Sequence, residues 1–346
     1  SKIAQVLRFE FAAAKSCVMV FGPNNDTRAA LAQHEWRLAG QPLRVEQEAV
    51  VYLGVTLTPD LRWKRMRKSV LAKLPRRVGA VRSMYLSYGA DHPRLIRMVT
   101  YALVGSAIEF ACAVWAHGRR TGGNAGFMDS CQRRWHSTLC TALRLPPQAS
   151  GVVLRGEMGV WPVVARWDAM RLIMYFRYAL LPDTDWRAIV FTAGRELAER
   201  DPPCPHAWHT NTHRALTRRA FPAMAWDNPR AFLAGQQPPI TPDLGHSAST
   251  SRIRTLVMGL IHEHEAAAWR AAVLALPRLG HTYVLLGDSL PRQVRPYLCT
   301  SRRRAQVIRA RLRCDFYRWL RSYYFRGYRP HHARTCSCTD DSIVAY

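Results

Sequence analysis

Apolar positions change rhythm along this chain. Between residues 17 and 57 they come in short β-branched and aromatic runs. Cys17, Val18, Met19, Val20 and Phe21 close on Gly22-Pro23-Asn24-Asn25, which predicts a buried strand ending in a turn. Residues 42–45 and 50–57 are two further runs split by the polar Glu46-Gln47-Glu48, and they predict a hairpin whose second arm carries Tyr52-Leu53-Gly54. From residue 63 the period lengthens. Over 63–85, Met66, Val70, Leu74, Val78 and Val81 recur at helical spacing, while Lys64, Arg65, Arg67, Lys68, Lys73, Arg76, Arg77 and Arg82 fill the other faces.

Further helices are predicted over 92–116, 126–143, 161–180 and 252–276. The stripe Trp167, Met170, Ile173, Met174, Phe176 and Tyr178 reads as core. The apolar run over 98–116 barely reaches the ~17–20 residues a bilayer span needs and contains Gly105 and Glu109, so a buried helix is expected there rather than a span. Asp168 and Glu109 lie in apolar company and are expected to be buried and paired. Prolines cluster with His, Thr, Gly and Ser over 201–251, which predicts a loop-rich linker, with Cys204, His206, His209 and His213 as loop residues rather than a zinc site. The fold class that emerges is α+β, predominantly α-helical: short strands first, then helices.

Composition adds a partner class. Fifty Lys and Arg face 24 Asp and Glu, a formal net charge of +26, so the surface attracts polyphosphates. Arginine far outnumbers lysine, which suits bidentate phosphate contacts but also follows from GC-rich coding. No lipidation signal accompanies an amphipathic helix, so no membrane partner is expected. The nine cysteines lack a disulfide-scaffold rhythm and read as reduced thiols. Residues 1–11 lack signal-peptide character, and no initiating Met is present, which suggests an incomplete N-terminus; an intracellular setting, nuclear or cytoplasmic, is expected.

The order of several short motifs resembles the reverse transcriptases of non-LTR retrotransposons. Lys15-Ser16 before Val18 to Phe21 is similar to the tail of a palm motif, and Tyr52-Leu53-Gly54-Val55 to the primer-grip hairpin that follows it. Leu61-Arg62-Trp63 with its basic helix, Ala107 to Trp115, Asp129 and Gln132, Leu145-Pro146, and Gly156 to Pro162 continue the resemblance through roughly the first 180 residues. The C-terminal part is similar to the family's basic aromatic tail. There, Val307, Ile308, Leu312, Phe316, Trp319, Leu320 and Tyr323 form an apolar helical face amid arginines, followed by Cys336-Ser337-Cys338. The resemblance divides the chain into a partial palm (1–60), a helical thumb-like domain (61–200), the linker (201–251) and a basic helical C-terminal region (252–346) with an incomplete zinc knuckle.

What the resemblance implies is binding without chemistry. The intact family enzyme is an RNA-directed DNA polymerase that holds Mg²⁺ on carboxylates in an aromatic-Ala-Asp-Asp turn upstream of the Lys-Ser strand. That turn is absent between Ser1 and Lys15, and the one Asp-Asp pair, Asp340-Asp341, lies in a polar tail, so this chain alone is expected to be inactive and to hold no Mg²⁺. The expected partner is RNA, RNA–DNA hybrid or DNA. Its contacts would come from the primer-grip residues Tyr52, Leu53 and Gly54, the palm residues Lys15 and Ser16, and the basic helix residues Lys64, Arg65, Arg67, Lys68, Lys73, Arg76 and Arg77. Arg318, Arg321, Tyr324, Arg326 and Arg329 extend the set with charge and stacking rings. Cys336 and Cys338 are the zinc candidates, two ligands where a structural site needs four. The alternative is a basic helical nucleic-acid-binding or interaction protein unrelated to polymerases.

Overall fold

A computed structural model describes residues 12, 15–21, 25–38, 40–88, 93–116, 123–143, 145, 149–199, 207–276 and 290–300. Helices dominate them and the strands are few and short, as the pattern of apolar positions implies. The chain divides into two compact units, Ser1–Lys73 and Leu74–Tyr346.

In the first unit, β1 (Cys17–Val18) pairs in parallel with β4 (Arg44–Val45), Cys17 opposite Arg44, and Glu46 N–H extends the ladder to the Val18 carbonyl at 2.8 Å. Between them lie α1 (Asn25–Gln33) and the hairpin of β2 (Arg37–Leu38) and β3 (Gln41–Pro42). β5 (Val50–Tyr52) and β6 (Val55–Leu57) form a second hairpin with Tyr52 opposite Val55. Its two-residue turn is Leu53-Gly54, with φ of 47° and 81°. Positive φ at both positions is the turn geometry that matches strand twist, and Gly54 adopts it without strain. Tyr52-Leu53-Gly54 therefore sits at the tip of its own hairpin, not on the second arm of one shared with residues 42–45.

Helix α2 (Lys64–Tyr88) follows Trp63 and crosses the boundary between the units. Met66, Val70, Leu74, Val78, Val81 and Tyr85 are all buried, the stripe its spacing predicts. Thr56 N–H meets the Met66 Sδ at 3.5 Å, which seats the second hairpin on the helix start.

The second unit opens with a broken segment where one continuous helix over 92–116 is expected. α3 (Pro93–Thr100) widens into a π turn (Tyr101–Gly105), then come α4 (Ser106–Glu109) and α5 (Cys112–Trp115), with Ala111 left-handed at φ 50°. At the wider turn the Leu103 carbonyl and the Ser106 hydroxyl accept from Arg77 Nη1 at 2.8 and 2.9 Å, and the helical course is interrupted only beyond it, at Phe110 (ψ 116°) and Ala111. Among the described residues no helix is long and apolar enough to cross a membrane.

α6 (Gly123–Ala142) and α7 (Gly151–Met158) precede α8 (Val163–Ala179), whose first N–H, on Val163, is capped by Gln132 Oε1 at 2.9 Å. α8 is the axis of the unit, packed by α5, α6, α10 (Trp208–Arg218), α12 (Pro229–Ala234) and α13 (His246–Leu274). Because it is covered on several sides, its buried set is wider than a stripe: Trp167 and Phe176 are joined by Asp168, Arg171, Leu172 and Tyr175, while Met170, Ile173, Met174 and Tyr178 are only half-buried. α13 buries Ile253, Val257, Ile261, Glu265, Trp269 and Val273 at four-residue spacing. Gly156 of α7 is required by that packing, since a Cβ there would collide with the Trp269 ring.

The described part of the expected linker is folded. After α9 (Trp186–Glu199) come α10, α11 (Met224–Asp227), α12 and a 3₁₀ turn (Pro242–Leu244), burying Phe221, Trp226, Phe232, Leu233 and Ile240. Two of the linker's prolines open helical turns instead of dissolving them. Pro229 stands at the first turn of α12 behind Asn228, whose Oδ1 accepts from Ala231 N–H at 3.0 Å, and Pro242 starts the 3₁₀ turn. His209 and His213 are accordingly helical: His209 packs edge-on to Trp208 and Phe191, and His213 lies against Trp226. Cys204 and His206 lie outside the described residues. The final described helix is α14 (Tyr297–Thr300).

Candidate nucleic-acid interface

The hairpin tip and the start of α2 carry the first unit's exposed chemistry. Val51, Tyr52 and Leu53 are 70%, 63% and 79% exposed, an apolar and aromatic edge that the fold leaves uncovered. Val51 and Tyr52 belong to the end of β5, and Leu53 opens the turn. Lys15 is exposed, and the Ser16 hydroxyl donates to the Ala12 carbonyl at 3.0 Å in an exposed local bond.

Not every cation of α2 is available. Arg65 is paired with Glu48 at 2.9 Å, Arg67 Nη2 donates to the Arg62 carbonyl at 3.0 Å, and burial draws the Arg67 pKa below its ordinary value. Arg77 is spent on the π turn, and Arg82 donates to Ser137 Oγ at 2.7 Å. Lys64, Lys68, Lys73 and Arg76 remain exposed, and none makes an ion pair among the described residues. Lys64 and Lys68 stand one turn apart, roughly 6 Å along the axis, a separation comparable to that of neighbouring backbone phosphates. The first unit also has a cleft of about 650 Å³, but Glu46, Glu48 and Asp60 line it together with Arg62, Lys64 and Arg65, so its field is mixed.

The second unit's buried charges are structural. Asp168, fully buried, accepts from Arg218 at 2.7 Å and from Arg219 at 2.8 Å, and Arg219 is also bonded to Glu265. Glu109 is bonded to Arg166. Asp168 is thus buried and paired as the sequence implies, whereas Glu109 is paired but only half-buried. Both Asp168 oxygens are taken by guanidinium groups, and among the described residues no group of three or more His, Cys, Asp or Glu side chains could hold a metal. The buried thiols of Cys112, Cys131 and Cys140 are pushed up to about 12 by burial and stay protonated.

Arg318, Arg321, Tyr324, Arg326, Arg329, Cys336 and Cys338 lie outside the described residues. Missed by sequence reasoning is a second concentration of cations, Arg94, Arg97, Arg166, Arg254 and Arg292, contributed by elements far apart in the chain. No spacing along the sequence marks it. Comparison with family models, with curated proteins and with solved structures finds no match to this chain.

Proposed function

We propose that this chain binds nucleic acid as the palm-edge and thumb region of a non-LTR retrotransposon reverse transcriptase, the part downstream of that enzyme's metal-binding carboxylates. The observation that carries the reading is α2: it buries one apolar stripe and turns Lys64, Lys68, Lys73 and Arg76 to solvent directly after a hairpin that exposes Tyr52 at its tip. The exposed cations would neutralise backbone phosphates and release counterions, and the Tyr52 ring would supply a face for a base or sugar. RNA, RNA–DNA hybrid and DNA all present this chemistry. The reading assigns no catalytic carboxylate to this chain and no metal.

Binding of the purified chain to a labelled RNA–DNA duplex across a salt series tests it, with primer extension in Mg²⁺ on the same sample. Tight binding that weakens steeply with salt, without extension, is the expected result. No binding at low salt would refute the nucleic-acid reading, and extension would refute the assignment of binding without chemistry.

A further inference from the structure

The second unit holds a cleft of about 550 Å³ whose charge is of one sign. Arg94 and Arg97 reach it from α3, Arg166 from α8, Arg254 from α13, and Arg292 from the segment before α14. Among the described residues no acidic side chain lines it. Glu109 offsets Arg166, but Arg94, Arg97, Arg254 and Arg292 make no ion pair among the described residues. Four uncompensated guanidinium groups around one small cleft repel one another, and an anion bound among them relieves that repulsion.

The cleft is also built rather than incidental. Arg97 Nη2 donates to the carbonyls of Gly159 and Arg292, both at 3.0 Å, and its guanidinium lies 5.2 Å from the Tyr101 ring centre. Its Nε is buried with no hydrogen-bond partner among the described residues. Arg166 sits 4.0 Å over the same ring. Gly159, at φ +60°, lets the backbone of Gln293 come so close that any Cβ would collide with it, and Arg295 N–H bonds the Glu157 carbonyl at 3.0 Å. These interactions hold the segment bearing Arg292 against the end of α7. His262, stacked on Trp161 at the cleft, has its pKa lowered by burial first and by Arg292 second, against an opposing pull from Glu263. Beside the guanidinium groups lie Met98, Met170 and Met258, adaptable apolar surface suited to a ring or sugar.

We propose that this cleft binds the terminal phosphate groups of a nucleotide, the arginines taking the phosphate oxygens and the methionines the nucleoside. Guanidinium forks match phosphate oxygens bidentately, and the volume lies in the roughly 300–1,000 Å³ range of small-ligand sites. A free nucleotide and the 5′-phosphorylated end of a strand share this chemistry. The site is independent of the α2 face.

Calorimetric titration of the full chain with ATP in EDTA tests the proposal. The Arg254→Gln/Arg292→Gln double variant, in which both changes fall on exposed side chains, should raise the ATP Kd about tenfold or more, while Lys64→Gln/Lys68→Gln leaves it unchanged and weakens only duplex binding. Competition by a 5′-phosphorylated oligothymidylate but not by its 5′-hydroxyl form would assign the strand end; no competition by either would assign the free nucleotide. Absence of ATP binding to the unaltered chain, an unchanged Kd in the double variant, or equal competition by both oligonucleotides would overturn it.

Discussion

Arginine serves opposite ends in two neighbourhoods of the second unit. Around Asp168 the guanidinium groups of Arg218 and Arg219 are matched by carboxylates, and Arg219 is only 5% exposed. In the cleft, Arg94, Arg254 and Arg292 are exposed, and among the described residues no carboxylate answers them. Taking a cation out of water costs several kcal/mol, a cost that the carboxylates of Asp168 and Glu265 offset for Arg219. At the surface the same residue can stay unmatched until a ligand arrives. Net charge of +26 therefore says less about function than the location of the unmatched part does.

The largest effect should come from breaking the matched cluster. Asp168→Ala leaves Arg219 buried with one carboxylate and takes from Arg218 the carboxylate it is paired with, and is expected to cost about 3–5 kcal/mol in urea denaturation. A loss below about 1 kcal/mol would mean that water or rearrangement satisfies these arginines, and the contrast with the cleft would fail. Gly159→Ala is next. It forces a Cβ at positive φ into the Gln293 backbone, with an expected loss of about 2 kcal/mol and weaker ATP binding, because the segment bearing Arg292 must move. Loss of stability with ATP affinity unchanged would separate that backbone approach from the cleft.

A pH titration probes an imidazole whose buried Nε2 has no hydrogen-bond partner among the described residues. His209 is pushed down from its ordinary 6.5 to about 4, by burial first and by Arg195 second. Above pH 6.5 both folded and unfolded states are neutral at this position and it contributes no pH dependence. Between 6.5 and about 4 the unfolded chain takes up a proton that the folded chain refuses, so stability falls as pH drops, by on the order of 1–2 kcal/mol once partial solvent screening is allowed for. Denaturation midpoints across this window should show the fall, and His209→Gln should flatten it.

Much of the helical architecture was legible in the sequence because its signals are local. The α2 stripe from Met66 to Val81 and the long run of α13 repeat at helical spacing, and burial follows the spacing. What escaped depends on distant partners. Asp168 looked like a paired acid, but nothing along the chain marks Arg218 and Arg219 as its partners. The prolines of 201–251 carry two meanings, breaker and helix opener, and Asn228 and Pro229 show that the second applies at α12. Leu53-Gly54 is not a common hairpin dipeptide, so the polar Glu46-Gln47-Glu48 presented the stronger turn signal several residues too early. The cleft arginines converge only after α3, α8 and α13 have packed.

The smallest expected effect on stability is the most telling for function. Replacing Lys64, Lys68, Lys73 and Arg76 together by Gln removes exposed charges that make no ion pair among the described residues, so the denaturation midpoint should stay within about 0.5 kcal/mol of the unaltered chain. If these side chains meet phosphates, the slope of log Kobs against log salt should shrink by about one for each phosphate no longer neutralised. Arg65→Gln is the internal comparison: its guanidinium is already paired with Glu48, so its removal should change the slope less than removal of Lys64 or Lys68. Equal slopes for all of these variants would place the nucleic-acid interface elsewhere on the molecule. A graded response, strongest where no carboxylate answers the cation, would extend the contrast between matched and unmatched charge from the second unit to α2.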